Sequence, residues 1–182
     1  MKKFLALAIL AVIFDLSSKA QDFKFGVKAN AGMSNLSNVA GAEFKESIGG
    51  GLFASFKFAV VGVQADVLYQ NFGYGATGYK LPVSYVQIPI VGKFHFLPFL
   101  NLQAGPYYGF FLAEGDDPDV YKESAFNKSD FGAVFGVGAQ FWRIHVDARY
   151  VMGFTEVIDP LVAGAGVKNQ AIMLGAGFAL VK

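Results

Sequence analysis

From Phe23 onward the chain alternates apolar and polar residues one by one, and this period of two constrains the fold more than any other feature. Phe23, Phe25, Val27, Ala29, Ala31 and Met33 alternate with Lys24, Gly26, Lys28, Asn30 and Gly32. A run of this kind is a strand with two unlike faces. Seven further segments repeat the pattern. They are built around Leu52–Phe58, Val63–Tyr69, Val86–Phe96, Leu100–Phe110, Phe131–Phe141, Ile144–Tyr150 and Ile172–Leu180. The apolar face of all eight segments carries no charge, and every charge within them sits on the other face.

The spacers have a rhythm of their own. Polar stretches at about residues 34–47, 71–84, 113–129 and 153–169 alternate with short links near Val60, Leu97-Pro98-Phe99 and Trp142-Arg143. Long and short connections in alternation, with an even strand count, fit an up-and-down barrel crossing a membrane, its long loops outside and its tight turns in the periplasm. The expected fold is therefore all-β: an eight-stranded antiparallel up-and-down transmembrane β-barrel. A soluble lipocalin also alternates. Its outer face, however, would be charged and hydrated, whereas the polar face here is rich in glycine, including Gly26, Gly51, Gly105, Gly132, Gly138, Gly175 and Gly177. Small residues suit the narrow interior of an eight-strand barrel.

Energetics point the same way. A Lys or Arg facing lipid at the bilayer midplane costs about 2–4 kcal/mol. Turning Lys28, Lys57, Lys93 and Arg149 outward together would consume most of a net stability of roughly 5–15 kcal/mol. Turned inward, they can pair with Asp66 and Asp147. Aromatic residues near the segment ends, among them Phe23, Tyr69, Phe96, Tyr108, Phe131, Phe141, Trp142 and Tyr150, fit interfacial girdles.

Residues 1–20 read as a secretory signal. Lys2 and Lys3 precede the short apolar run Phe4–Phe14, and Ser18-Lys19-Ala20 is a small-x-small cleavage site. Asp15 ends the run short of the roughly 20 apolar residues a spanning helix needs; a retained anchor is the alternative. The organisation expected is a cleavable signal peptide at 1–20 and an outer-membrane barrel domain at 21–182. Cleavage removes Lys2, Lys3, Lys19 and Asp15, which turns the formal charge from +1 to −1. That balance argues against a nucleic-acid partner, which requires a basic patch. At 54% hydrophobic and 16% charged, the chain is not disordered. It has no Cys, which excludes disulfides and thiolate chemistry.

Several stretches, taken in order, resemble the PorT-type outer-membrane β-barrel family common in Bacteroidetes. They are Leu68-Tyr69-Gln70-Asn71-Phe72-Gly73, Tyr85-Val86-Gln87-Ile88-Pro89-Ile90 and Gln103-Ala104-Gly105-Pro106-Tyr107-Tyr108-Gly109, followed by Asp130-Phe131-Gly132, Gly136-Val137-Gly138 and Asp147-Ala148-Arg149-Tyr150 with Gly153. Two features depart from the pattern: the chain ends Leu180-Val181-Lys182 in place of a terminal aromatic, and Gln87 stands where the family usually has Glu. The resemblance implies an outer-membrane location and a barrel architecture. It implies little about activity, although some relatives belong to a protein-secretion machinery.

Residues for catalysis are scarce. His95 and His145 are the two histidines, neither lies in an H-E-x-x-H motif, and no P-loop is present. Gly136 and Gly138 fall within a strand with no helix after them, so no dinucleotide site is expected. A lipid-acting enzyme would need a nucleophile such as Ser55 beside one histidine. Glu114, Asp116, Asp117, Asp119 and Glu123 cluster in the third long loop but lack the order of a calcium-binding EF-hand. Val157-Ile158-Asp159-Pro160-Leu161-Val162 is unusually apolar for an exposed loop; it could cover the barrel mouth, meet a partner or continue a strand.

The expectation is a non-enzymatic barrel with a structural or protein-interaction role, without catalytic, metal or cofactor residues. Its surroundings would be outer-membrane lipid and envelope or secretion proteins, and it would be a monomer. The candidate site is an interior polar cluster of Lys28, Asp66, Gln87, Lys93, His95, His145, Asp147 and Arg149, in which Lys28, Asp66, Lys93, Asp147 and Arg149 are read as a salt-bridge plug and the two histidines as part of a polar core. The rival reading is a small-solute pore or ligand-binding barrel using the same inward charges.

Overall fold

A computed structural model describes residues 21–37, 45–76, 79–112, 129–158 and 167–181. It contains eight strands: β1 (Gln21–Ser37), β2 (Lys45–Phe58), β3 (Val61–Ala76), β4 (Tyr79–His95), β5 (Leu100–Leu112), β6 (Ser129–Phe141), β7 (Ile144–Ile158) and β8 (Val167–Val181). Each pairs antiparallel with its neighbours in sequence, and β8 closes on β1 from Phe25↔Val181 to Ser37↔Lys168. Closure satisfies every strand edge, which hydrocarbon cannot solvate.

The period of two becomes two surfaces. Val27, Leu52, Val67, Ile90, Leu102, Val137, Val146 and Leu174 are exposed on the outside of the wall, while their neighbours Lys28, Phe53, Asp66, Val91, Gln103, Asp147 and Met173 are buried inside. Glycines make room for the long interior side chains. A Cβ on Gly175 would lie 2.6 Å from Asp147 Oδ1 and 2.7 Å from Lys28 Cε. One on Gly138 would lie 2.3 Å from Gln103 Nε2.

Two of the short turns are two-residue links, Ala59-Val60 and Trp142-Arg143. Ala59 and Trp142 both take a φ of 52°, in the left-handed region that disfavours a Cβ. Trp142 is nevertheless well exposed at the short-turn rim, with the Arg143 guanidinium 5.4 Å from its ring centroid. Amphipathic rings favour such interfaces.

Three of the long polar spacers are shorter than the alternation suggests. The β3–β4 ladder continues to Ala76↔Tyr79, so most of the expected 71–84 loop is a hairpin. Likewise β1 and β2 extend to Ser37 and back to Lys45, and β7 and β8 to Ile158 and back to Val167. Backbone pairing needs no apolar face, so strands run on past the hydrocarbon with polar and glycine residues. Glu46, exposed on the outward parity opposite Met33, belongs to such an extension. Tyr69 lies mid-strand opposite Gly50 and Val86, and Tyr150 lies mid-strand opposite Phe135 and Ile172. Val157 and Ile158 continue β7. The signal segment 1–20, the acidic cluster 114–123 and residues 159–162 lie outside the described residues.

Candidate functional site in the barrel lumen

Inward parity places all eight candidate residues inside: Lys28, Asp66, Gln87, Lys93, His95, His145, Asp147 and Arg149 are each less than 9% exposed. Five of them join one network. Asp66 on β3 accepts from Arg149 Nη1 at 2.6 Å, and Lys28 Nζ lies 3.6 Å from the same carboxylate. Asp147 on β7 accepts from Lys28 Nζ at 2.5 Å and pairs with Arg149 Nε at 3.3 Å. These two cations and two carboxylates balance in charge and span the lumen between β1, β3 and β7. Low dielectric makes an unpaired charge here costly.

Two glutamines absent from the candidate set complete the network. Gln64 Nε2 donates to Asp66 Oδ1 at 2.5 Å, while its Oε1 accepts from Lys93 Nζ. Gln103 Oε1 accepts from Arg149 Nε at 3.0 Å, and its Nε2 donates to Asn101 Oδ1 at 2.9 Å. Their signal was inward parity combined with a long neutral side chain, which a search for charges overlooks. Lys93 therefore ends on a neutral amide: among the described residues no carboxylate lies within ion-pair distance of it. Lys57, half-buried near the Ala59-Val60 turn, likewise pairs with neither Asp66 nor Asp147.

Gln87 sits above this network, toward the long-loop end. With Asn30, Gln70 and Arg149 it lines a cavity of about 20 Å³ whose walls also include Val134 and Met173. That volume holds one water molecule. Higher still, Asp130 is buried, and among the described residues no cation pairs with it. Its Oδ2 accepts from Tyr107 Oη at 2.8 Å and from Asn169 Nδ2 at 3.3 Å.

His95 and His145 lie below the network, near the short turns, and do not join it. No nitrogen of either ring makes a hydrogen bond among the described residues. His145 instead packs on Phe53 with ring centroids 4.9 Å apart. Ser55 is buried on the same inner face, yet neither histidine hydrogen-bonds it, so neither is placed to activate it as a nucleophile. Among the described residues no three His, Asp or Glu side chains converge to hold a metal ion.

Residues 18–159 match the model of a family described as the outer membrane protein beta-barrel domain. The chain belongs to that family. It is an outer-membrane protein, and its closed wall of eight strands is a barrel, as the family's name states. Solved structures agree at the level of fold. Neisserial surface protein A is similar with a TM-score of 0.58 at 13% identity, over 88% of this chain and 99% of that one. Ail, the attachment invasion locus protein of Yersinia pestis, is similar with a TM-score of 0.50 at 17% identity, over 87% and 99%. No curated protein matches the sequence.

Proposed function

We propose that this outer-membrane protein is a non-enzymatic, closed barrel of the PorT type, with a structural or protein-interaction role in envelope or secretion assembly. One observation carries the reading: the charge-balanced network of Lys28, Asp66, Asp147 and Arg149 crosses the lumen at its middle. A network of this kind suits a plug more than a path, since a solute would have to break four charged contacts to pass. The cavity beside it has room for one water. With the interior filled, specificity falls to the external connections, where binding residues usually gather on rigid scaffolds. The ordered sequence motifs from Leu68 to Gly153 support the PorT-type assignment and, with it, a Bacteroidetes origin.

Two experiments test the reading. In planar bilayers the purified barrel is expected to show no stable, large single-channel conductance; such a conductance would favour the small-solute pore. A pull-down from native outer membranes in mild detergent, with a tag near Asp119, is expected to recover a stoichiometric envelope partner. Recovery of a lone barrel would remove the assembly role.

A further inference from the structure

Arg149 has one polar arm that the ion-pair network does not use. Its Nη1 donates to Asp66 and its Nε to Gln103, whereas Nη2 is buried with no hydrogen-bond partner among the described residues. Two glutamines carry atoms of the same kind. Gln87 Nε2 on β4 and Gln70 Oε1 on β3 are buried and have no hydrogen-bond partner among the described residues. Gln87 is paired in register with Leu68, so Gln70, two residues further along β3, is its diagonal neighbour on the inner face. Gln70, Gln87 and Arg149 are 2%, 3% and 5% exposed, and all three line the cavity of about 20 Å³ above the network.

These atoms do not satisfy one another. Gln87 Nε2 and Arg149 Nη2 are both donors. Gln70 Oε1 is an acceptor that neither of them reaches. The rest of the lining is Asn30 together with apolar residues such as Val134, Val151 and Met173. Buried polar atoms are nearly always satisfied, and each exception calls for an explanation such as ordered solvent or an ion. Three such atoms on the residues around one cavity call for a single occupant that accepts twice and donates once.

We infer that the cavity binds one water molecule, which accepts from Gln87 Nε2 and Arg149 Nη2 and donates to Gln70 Oε1. The volume of about 20 Å³ admits one water, and three polar partners are the usual number for a buried one. A halide would accept from both donors but would face the Gln70 oxygen. A cation would face the Arg149 guanidinium. A larger solute does not fit. The water ties the β3–β4 wall to Arg149 on β7 and completes the partners of the guanidinium, so it helps to position the arginine that holds Asp66. This site goes beyond the plug reading, since it does not depend on whether the lumen conducts.

The test uses the folded full chain, labelled with 15N, in non-ionic detergent, with water itself as the probe. Cross-relaxation between water and side-chain N–H protons is read by NMR in the laboratory and rotating frames, whose relative sign separates a long-lived water from surface hydration and from proton exchange. The Gln87 amide, assigned by its loss in Gln87→Met, and the Arg149 guanidinium are expected to show contact with a long-lived water. The Gln103 amide, which donates to Asn101 Oδ1, is expected to show none. Val134→Ile adds a methylene to the cavity wall. It is expected to erase the water contacts and to lower the urea midpoint, because three buried atoms lose their partner. A raised midpoint would show that the methylene fills a dry void, and would overturn the proposal. So would stabilisation by chloride over gluconate at equal ionic strength that Gln87→Met abolishes, since the occupant would then be a halide. If neither variant folds, the wild-type spectrum decides alone: no long-lived water at either group overturns the proposal.

Discussion

Lys28 Nζ lies 2.5 Å from Asp147 Oδ2, joining β1 to β7 across the seam where β8 closes the barrel. The contact passes over Gly175, where any Cβ would collide with both side chains. Lys28→Met leaves Asp147 buried with only Arg149 Nε, 3.3 Å away, to offset its charge. Removing one partner of a buried pair costs about 3–5 kcal/mol, whereas replacing both by apolar residues is often neutral. Urea unfolding in detergent is therefore expected to show a large loss for Lys28→Met and recovery of most of it in the Lys28→Met/Asp147→Leu double variant. Additive losses in the double variant would show that the two side chains are not coupled.

Asp66 and Arg149 hold the centre of the same network, 2.6 Å apart and both buried. Shortening both to alanine removes the side chains that cross the lumen between β3 and β7 while leaving the strand ladders intact. The double variant is expected to show discrete conductance steps in planar bilayers that the wild type lacks. If it stays as closed as the parent, closure rests on the apolar interior around Phe53, Leu68 and Val134 instead.

Strand number and the inside–outside assignment were legible because alternation is local: Val27 and Lys28 declare their faces without reference to any other segment. Strand ends were not, since the ladder Gly73↔Pro82 to Ala76↔Tyr79 continues where no hydrocarbon enforces alternation. The membership of the network was half legible. Inward charges could be named, but their partners depend on the stagger around the ring. Lys28 is paired in register with Gly51 and Gly177, yet its ammonium reaches Asp147 on β7. The same stagger takes Lys93 to Gln64 and leaves the two histidines below the network, a separation that sequence spacing does not reveal.

Gly105 and Gly92 offer a controlled comparison of the two faces. A Cβ on inward Gly105 would lie 2.0 Å from the carbonyl oxygen of Ile90, a backbone atom that cannot swing aside. A Cβ on outward Gly92 would come no nearer than 3.6 Å to the Ala104 oxygen. Gly105→Ala is expected to cost about 1–3 kcal/mol as overpacking. Gly92→Ala is expected to be neutral or to stabilise by about 0.5–1 kcal/mol, the backbone entropy a strand glycine forfeits. Chemical unfolding of the two variants side by side checks the order; a reversal would mean that the interior tolerates a wider wall.

The lipid face makes a depth-dependent prediction. Leu174 is 65% exposed and sits opposite Ala148 and Ala31, level with the ion-pair network, whereas Leu180 is 52% exposed near the periplasmic end of β8. A lysine facing hydrocarbon at the midplane costs about 2–4 kcal/mol, but about 0–1 kcal/mol near the interface, where it can reach the headgroups. Leu174→Lys is expected to lower folding stability in lipid vesicles by the larger amount and Leu180→Lys by the smaller. In a soluble barrel both lysines would meet water and cost nearly nothing. Equal, negligible effects would thus contradict a membrane-spanning wall, while a gradient from Leu180 to Leu174 would locate the centre of the bilayer at the level of Lys28 and Asp147.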